Sequence, residues 1–223
     1  MKDIELNELI TFHCKKCGDC CKKKTDILLS SRDCFQIAKY LNLSLPEFIN
    51  LYCEMYIGRG SKMPVVRIRM NEEECCPFLK ENLCSIQQVK PTVCALFPFS
   101  RAVNYIPMKN HGMRCDGTWY VLMNEECGEK GDECKLKDWI EQSGVNTDDV
   151  FYKSWCEFIS NTGFIIRQLS KQLPEQYMNS LWNILYSKMY FEYDISKSFE
   201  EQYVINTLNI TNFLKYLISK LEI

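Results

Sequence analysis

The sequence predicts an α+β protein: a front half of short strands and helices rich in cysteine, followed by a three-helix C-terminal region. Thirteen of the 14 cysteines fall between Cys14 and Cys134, Cys156 stands alone, and none follows it. Ahead of residue 145 the patterning changes every few residues between helical and alternating, which leaves only a thin core. Beyond it, apolar residues recur at three- and four-residue spacing over three long segments. The expected division is therefore 1–145 and 146–223. With no Gly/Ser or Pro linker at the junction, the helical region is expected to pack on the front half.

In chain order, residues 14–24 read as a turn-rich loop holding the first cysteines. Ser30 or Ser31 caps a helix through Tyr40, with Ile37, Tyr40 and Leu41 at helical spacing. Ser44 caps a second helix, with Pro46 in its first turn, running to about Tyr56. Residues 65–70 alternate and are β-branched, which predicts a strand. Residues 71–74 read as the turn of a hairpin whose second strand is 76–79, and 119–123 as a further strand. The tail predicts helices over 147–169, 174–193 and 196–221, with Pro174 tolerated in a first turn and Ser196 as a cap. Trp182, Tyr186, Tyr190, Phe191 and Tyr193 are assigned to core packing rather than to a pocket.

Composition excludes several classes. Lys plus Arg is 27 and Asp plus Glu 29, a net charge of −2, so the basic excess of a general nucleic-acid binder is missing. A 46% hydrophobic content excludes a disordered chain. No run approaches the roughly 18–20 apolar residues of a membrane helix. The opening stretch lacks a basic segment followed by an apolar one, so no secretory signal and a cytoplasmic location are expected. Glycine is scarce, at 9, and no G-x-G-x-x-G or P-loop is present, which argues against a nucleotide-binding Rossmann unit. No Ser-His-Asp or Cys-His arrangement is visible. Of the two histidines, His13 abuts Cys14, as a ligand neighbour or a solvated side chain, and His111 reads as a turn residue.

Fourteen cysteines in a chain of this length, without a signal segment, fit a reducing compartment better than a disulfide framework. Cys20-Cys21 and Cys75-Cys76 are sequence neighbours, which rarely bridge each other. Clustered thiols then point to metal. The first cluster is C-x2-C-x2-C-C, from Cys14, Cys17, Cys20 and Cys21, with Gly18 able to take a positive φ and close the loop. Lys15, Lys16, Lys22, Lys23 and Lys24 flank it, either offsetting thiolate charge or serving as a solvated run. Asp19 and Asp33 suit a turn and a helix start. The second cluster is Cys76-Pro-Phe-Leu, Cys84-Ser-Ile, and Lys90-Pro91-Thr-Val-Cys94-Ala-Leu-Phe97-Pro98, with ligands 8 and 10 positions apart. Pro91 and Pro98 stiffen the backbone around Cys94. Cys34, Cys53 and Cys156 lie on predicted helices and read as small core residues, whereas Cys75, Cys115 and Cys134 stay open as ligands or redox partners.

This order of motifs closely resembles the CxxCxxCC cysteine-cluster (YkgJ-like) family of zinc- or iron-chelating domains, over about residues 12–140. The resemblance implies ligands at Cys14, Cys17, Cys20, Cys21, Cys76, Cys84 and Cys94, with Asp33 at a recurrent acidic position. It implies an eighth ligand at Cys127, ahead of Gly131 and Trp139, with Cys115 before Gly117 competing for that role. Flagellin lysine N-methylases are similar over the same cysteine region, which implies a methyltransferase alternative, although no cosubstrate site is readable. Eight cysteines divide into two sets of four, suiting two iron–sulfur clusters (4Fe-4S favoured) with a redox or cluster-dependent role, or two Zn sites. In the zinc case the metal would supply folding free energy, and the helical tail would dock a protein partner.

Overall fold

The computed structural model describes residues 2–22, 26–108 and 112–221. Lys23, Lys24 and His111 lie outside the described residues. The elements, in order, are β1 (Lys2–Ile4), β2 (Leu9–His13), β3 (Leu28–Leu29), α1 (Ser31–Leu41), α2 (Leu45–Tyr52), β4 (Cys53–Ile57), β5 (Pro64–Ile68), β6 (Leu79–Lys80), β7 (Leu83–Cys84), α3 (Thr92–Leu96), β8 (Phe99–Pro107), β9 (Met113–Leu122), β10 (Glu129–Lys135), α4 (Leu136–Gln142), α5 (Val150–Leu169), α6 (Glu175–Tyr186) and α7 (Phe199–Leu221). The fold class is α+β with a helical C-terminal region, as the patterning predicts. No described helix is long and apolar enough to cross a membrane.

Two compact units emerge, Met1–Ile27 with Arg69–Glu157, and Leu28–Ile68 with Phe158–Ile223. The segment Leu28–Ile68 belongs with the C-terminal helices, in a unit apart from the cysteine motifs. Burial explains this: Cys34, Ile37, Ala38, Leu45, Phe48 and Cys53 are all at most 1% exposed, an apolar load that needs a core of its own.

In the second unit, β3 and β4 flank β5 in an antiparallel sheet. Ser30 and Ser44 each accept from the backbone N–H three residues on, while Asp33 and Glu47 reach back, so α1 and α2 both start on capping boxes. The second helix stops at Tyr52, not near Tyr56 as its periodicity suggests. Residues 53–57 are instead drawn into register with β5, Cys53 opposite Ile68 and Glu54 opposite Arg67, where Arg67 Nε meets Glu54 Oε1 at 2.7 Å. Strand pairing overrides the helical pattern there. The tail helices form close to the expected bounds. The third starts at Phe199 rather than Ser196, whose hydroxyl donates to Asp194, and α6 runs into a π-helical turn over Ser187–Phe191. Tyr190 and Tyr193 are buried, and Trp182 Nε1 donates to Lys62 O at 2.9 Å, which bears out a packing role for these aromatics.

In the first unit, β9 pairs with both β1 and β8, and β10 pairs with β2 across a bulge between Lys130 and Cys134. Ile4, Ile10, Leu96, Phe99, Tyr120, Leu136, Ile140 and Val145 form the core. On its edge Phe12, Phe99 and Trp139 meet edge-on, with centroids 5.1–6.1 Å apart. Residues 71–74 do turn, with Asn71 Oδ1 accepting from the N–H of Glu73 and Cys75. They do not close a hairpin onto 76–79, however. The short hairpin here is β6–β7, reversed at Glu81 and Asn82, both with positive φ.

Candidate metal centre

Local chemistry assembles the eight cysteines within the first unit. Gly18, with φ 75°, reverses the chain after Cys17 and opens a 3-10 turn over Asp19–Cys21, in which the Cys21 N–H donates to Gly18 O at 2.9 Å. A Cβ on Gly18 would lie 3.2 Å from Asn82 Cα and from Leu79 Cδ1, so the first motif packs directly on the β6–β7 hairpin that ends at Cys84. The Cys76 N–H donates to Cys21 O at 2.8 Å, and Lys22 and Cys75 form a β-bridge, stitching the two motifs together. Cys94 sits in the first turn of α3, its N–H bonded to Pro91 O at 2.8 Å. Cys127 precedes Gly128, with φ 79°, where a Cβ would come within 2.3 Å of Phe12 Cε2 and 2.6 Å of His13 O. Only glycine lets the Cys127 loop lie this close to the end of β2, immediately before Cys14.

Electrostatics show which thiols are neighbours. The Cys20 and Cys21 Sγ atoms are 3.9 Å apart. The Cys21 thiol is pushed far above its ordinary value by its hydrogen bond with Cys20, then by burial and by the charges of Cys20, Cys76 and Cys94. Burial raises Cys94, joined by Cys76, Cys84 and Cys20, with Lys90 opposing. Cys76 is raised by burial and by Cys84, Cys20 and Cys75. Burial also raises Cys127, and its charged neighbours are Cys20, Cys14 and Cys17, with Lys15 opposing. Cys21, Cys76, Cys84 and Cys94 are thus linked through one another, Cys127 through Cys14 and Cys17, and Cys20 is a neighbour common to Cys21, Cys76, Cys94 and Cys127.

Among the described residues, no three His, Cys, Asp or Glu donors close tightly enough to hold one ion. The donor chemistry nonetheless fits metal. As thiolates these groups raise one another's pKa, a repulsion that a bound cation reverses. Lys15 and Lys90 offset thiolate charge, while Lys22 pairs with Asp19 at 3.2 Å, and that carboxyl lies below its usual range through hydrogen bonds from Cys17 and Lys22.

The remaining sequence candidates lie elsewhere. His13 is exposed at the end of β2, and Asp33 is the capping-box acid of α1. Cys34 and Cys53 are core residues of the second unit. Cys134 lines the edge of the first unit's core. The Cys75 thiol donates to Glu73 O at 3.5 Å and is a charged neighbour of Cys76. Cys115 sits beside Cys156 rather than with the first motif. Sequence reasoning passed over Gly128; the Cys127-Gly128 pair was the signal that could have found it.

Fold and thiol arrangement together define a cysteine-cluster, metal-chelating class of protein. A model of the CxxCxxCC family, described as a "putative zinc- or iron-chelating domain", matches residues 13–135, and the chain belongs to this family. It is also 33% identical over 100 residues to an uncharacterized protein of Methanocaldococcus jannaschii, covering 44% of this chain and 50% of that one. The chain thus spans about half the length of that relative. No solved structure matches.

Proposed function

We propose that the domain holds two iron–sulfur clusters of the four-iron type, on Cys14, Cys17, Cys20 and Cys127 and on Cys21, Cys76, Cys84 and Cys94, and that it acts in electron transfer. The observation that supports this reading is that Cys20, 3.9 Å from Cys21, neighbours both the Cys21, Cys76 and Cys94 thiols and Cys127, whose other thiol neighbours are Cys14 and Cys17. Four thiolates complete a cubane, and such a cluster, once bound, supplies one-electron chemistry. The second set comes from a 3-10 turn, a loop, a strand and a short helix, a dispersal that suits corners of a polynuclear centre. The chain tunes the two sets differently. Cys76 is buried and Cys94 half-buried, whereas Cys14 and Cys17 are exposed, and solvent exposure is one determinant of cluster potential.

A second reading is zinc with Cys20 and Cys21 on one ion, a grouping different from the two sets above, and one distance favours it. Cys20 and Cys21 are 3.9 Å apart, near the edge of roughly 3.8 Å in a tetrahedron with Zn–S bonds of about 2.3 Å. Iron, zinc and acid-labile sulfide analysis with a visible spectrum, on protein purified without oxygen, separates the two. Iron and sulfide near eight per chain with a broad band near 400 nm support clusters, at an order of magnitude set by two cubanes. Colourless protein with about two zincs per chain supports the alternative and removes the redox role.

A further inference from the structure

Outside the metal centre, the first unit brings together the segments that carry two more cysteines, Cys115 and Cys156, 41 positions apart in sequence. Cys115 on β9 pairs with Tyr105 on β8, next to the bulge that skips Asp116, so the two side chains share one face of the hairpin. That face meets the start of α5: Tyr105 Oη donates to Cys156 O at 3.2 Å, and the Cys115 N–H donates to Glu157 Oε1 at 2.6 Å. The frame around the pair is tied together by hydrogen bonds. Tyr152, one turn before Cys156, donates from Oη to Arg101 O at 2.7 Å and carries the Arg101 guanidinium 3.7 Å from its ring centroid. Arg101 in turn donates to Asn146 O at 3.0 Å and pairs with buried Asp149 at 3.4 Å.

We propose that Cys115 and Cys156 form a redox-active dithiol, distinct from the metal thiols, that closes to a disulfide in reaction with a low-molecular-weight disulfide. The Cys115 thiolate attacks one sulfur of the small disulfide, forming a mixed disulfide and releasing one small thiolate. Cys156 then attacks the Cys115 sulfur, closing the intramolecular bond and releasing the second small thiolate. The protein loses two electrons, the small disulfide gains them, and the two thiol protons end on the released thiolates. The surroundings favour the closed form. Burial, followed by the charges of Cys156 and Glu157, pushes the Cys115 thiol up to about 11, so the site disfavours thiolates and accepts a neutral disulfide. Burial raises the Cys156 thiol as well, and the neighbouring Tyr152, Arg101 and Tyr105 side chains offset part of that rise.

The test incubates metal-loaded full-length protein, purified without oxygen, with oxidised glutathione, then alkylates, digests and maps the peptides by mass spectrometry. A cross-linked pair containing Cys115 and Cys156, reversed by dithiothreitol at unchanged metal content, is expected. Cys156→Ser leaves Cys115 as the glutathione mixed disulfide with no cross-link. The wild-type map alone can overturn the proposal: a mixed disulfide that never closes, a bridge from either residue to another cysteine, or full alkylation of both does so.

Discussion

Replacing Gly128 with alanine tests how Cys127 is held at the metal centre. A φ of 79° costs an L-residue about 1–2 kcal/mol. The new Cβ would lie 2.3 Å from Phe12 Cε2 and 2.6 Å from His13 O. The carbonyl belongs to β2, and the Phe12 ring is held edge-on by Phe99 and Trp139, so neither yields easily. Overpacking of this kind adds about 1–3 kcal/mol, for a total of about 2–5 kcal/mol. Gly144 is the control: its φ is also 79°, but its Cβ would meet nothing within 4 Å, so only the strain of about 1–2 kcal/mol applies. Urea unfolding and metal content are measured for both variants. G128A is expected to fall below G144A in stability and, if Cys127 serves one of the two proposed sets, to lose about half the metal. Equal stability within about 0.5 kcal/mol, with full metal in both, would refute the reasoning.

Three other outcomes follow from the same geometry. Cys84→Ser removes about half the bound metal while Cys115→Ser removes none, as elemental analysis of the purified variants shows; equal losses would mean Cys115 is a ligand. Cys34→Ser places a hydroxyl at a site with no exposure and is expected to cost about 1–3 kcal/mol in urea with metal unchanged, so metal loss would make it more than a core residue. Burial raises the Tyr186 and Tyr193 phenols to about 12. Their folded values exceed the ordinary value of about 10, so their contribution is whole below about pH 10 and is lost as pH rises towards 12. Absorbance at 295 nm and circular dichroism, followed together, should show these phenols ionising with unfolding; complete ionisation near pH 10 in folded protein contradicts this.

The long helices were legible because their apolar period is sustained over a dozen or more residues, as in Leu181, Leu185 and Met189 or Ile210 and Leu214. The strands β1, β2 and β10 were not. Glu129–Lys135 has almost no apolar alternation, and it is a strand because Leu9–His13 pairs with it. The end of α2 was misjudged for the same reason, since Arg67 and Ile68 recruit residues 53–57 from across the sheet. The eight cysteines stand out in sequence by spacing and flanking residues, but which of them become neighbours does not. It depends on long-range joins such as the Cys76 N–H to Cys21 O bond, and on the fit of Gly128 against Phe12, which places Cys127 and not Cys115 near Cys14. Likewise, nothing in the spacing announces that Cys115 on β9 lies against the turn of α5 that holds Cys156 and Glu157.

Native mass spectrometry of the full chain, purified and sprayed without oxygen, tests the central claim of two four-thiolate centres most directly. The expected spectrum shows a mass increment of two four-iron clusters in the wild type and of one in Cys84→Ser. A wild-type increment of a single metal ion or a single cluster, or one that Cys84→Ser leaves untouched, would contradict it.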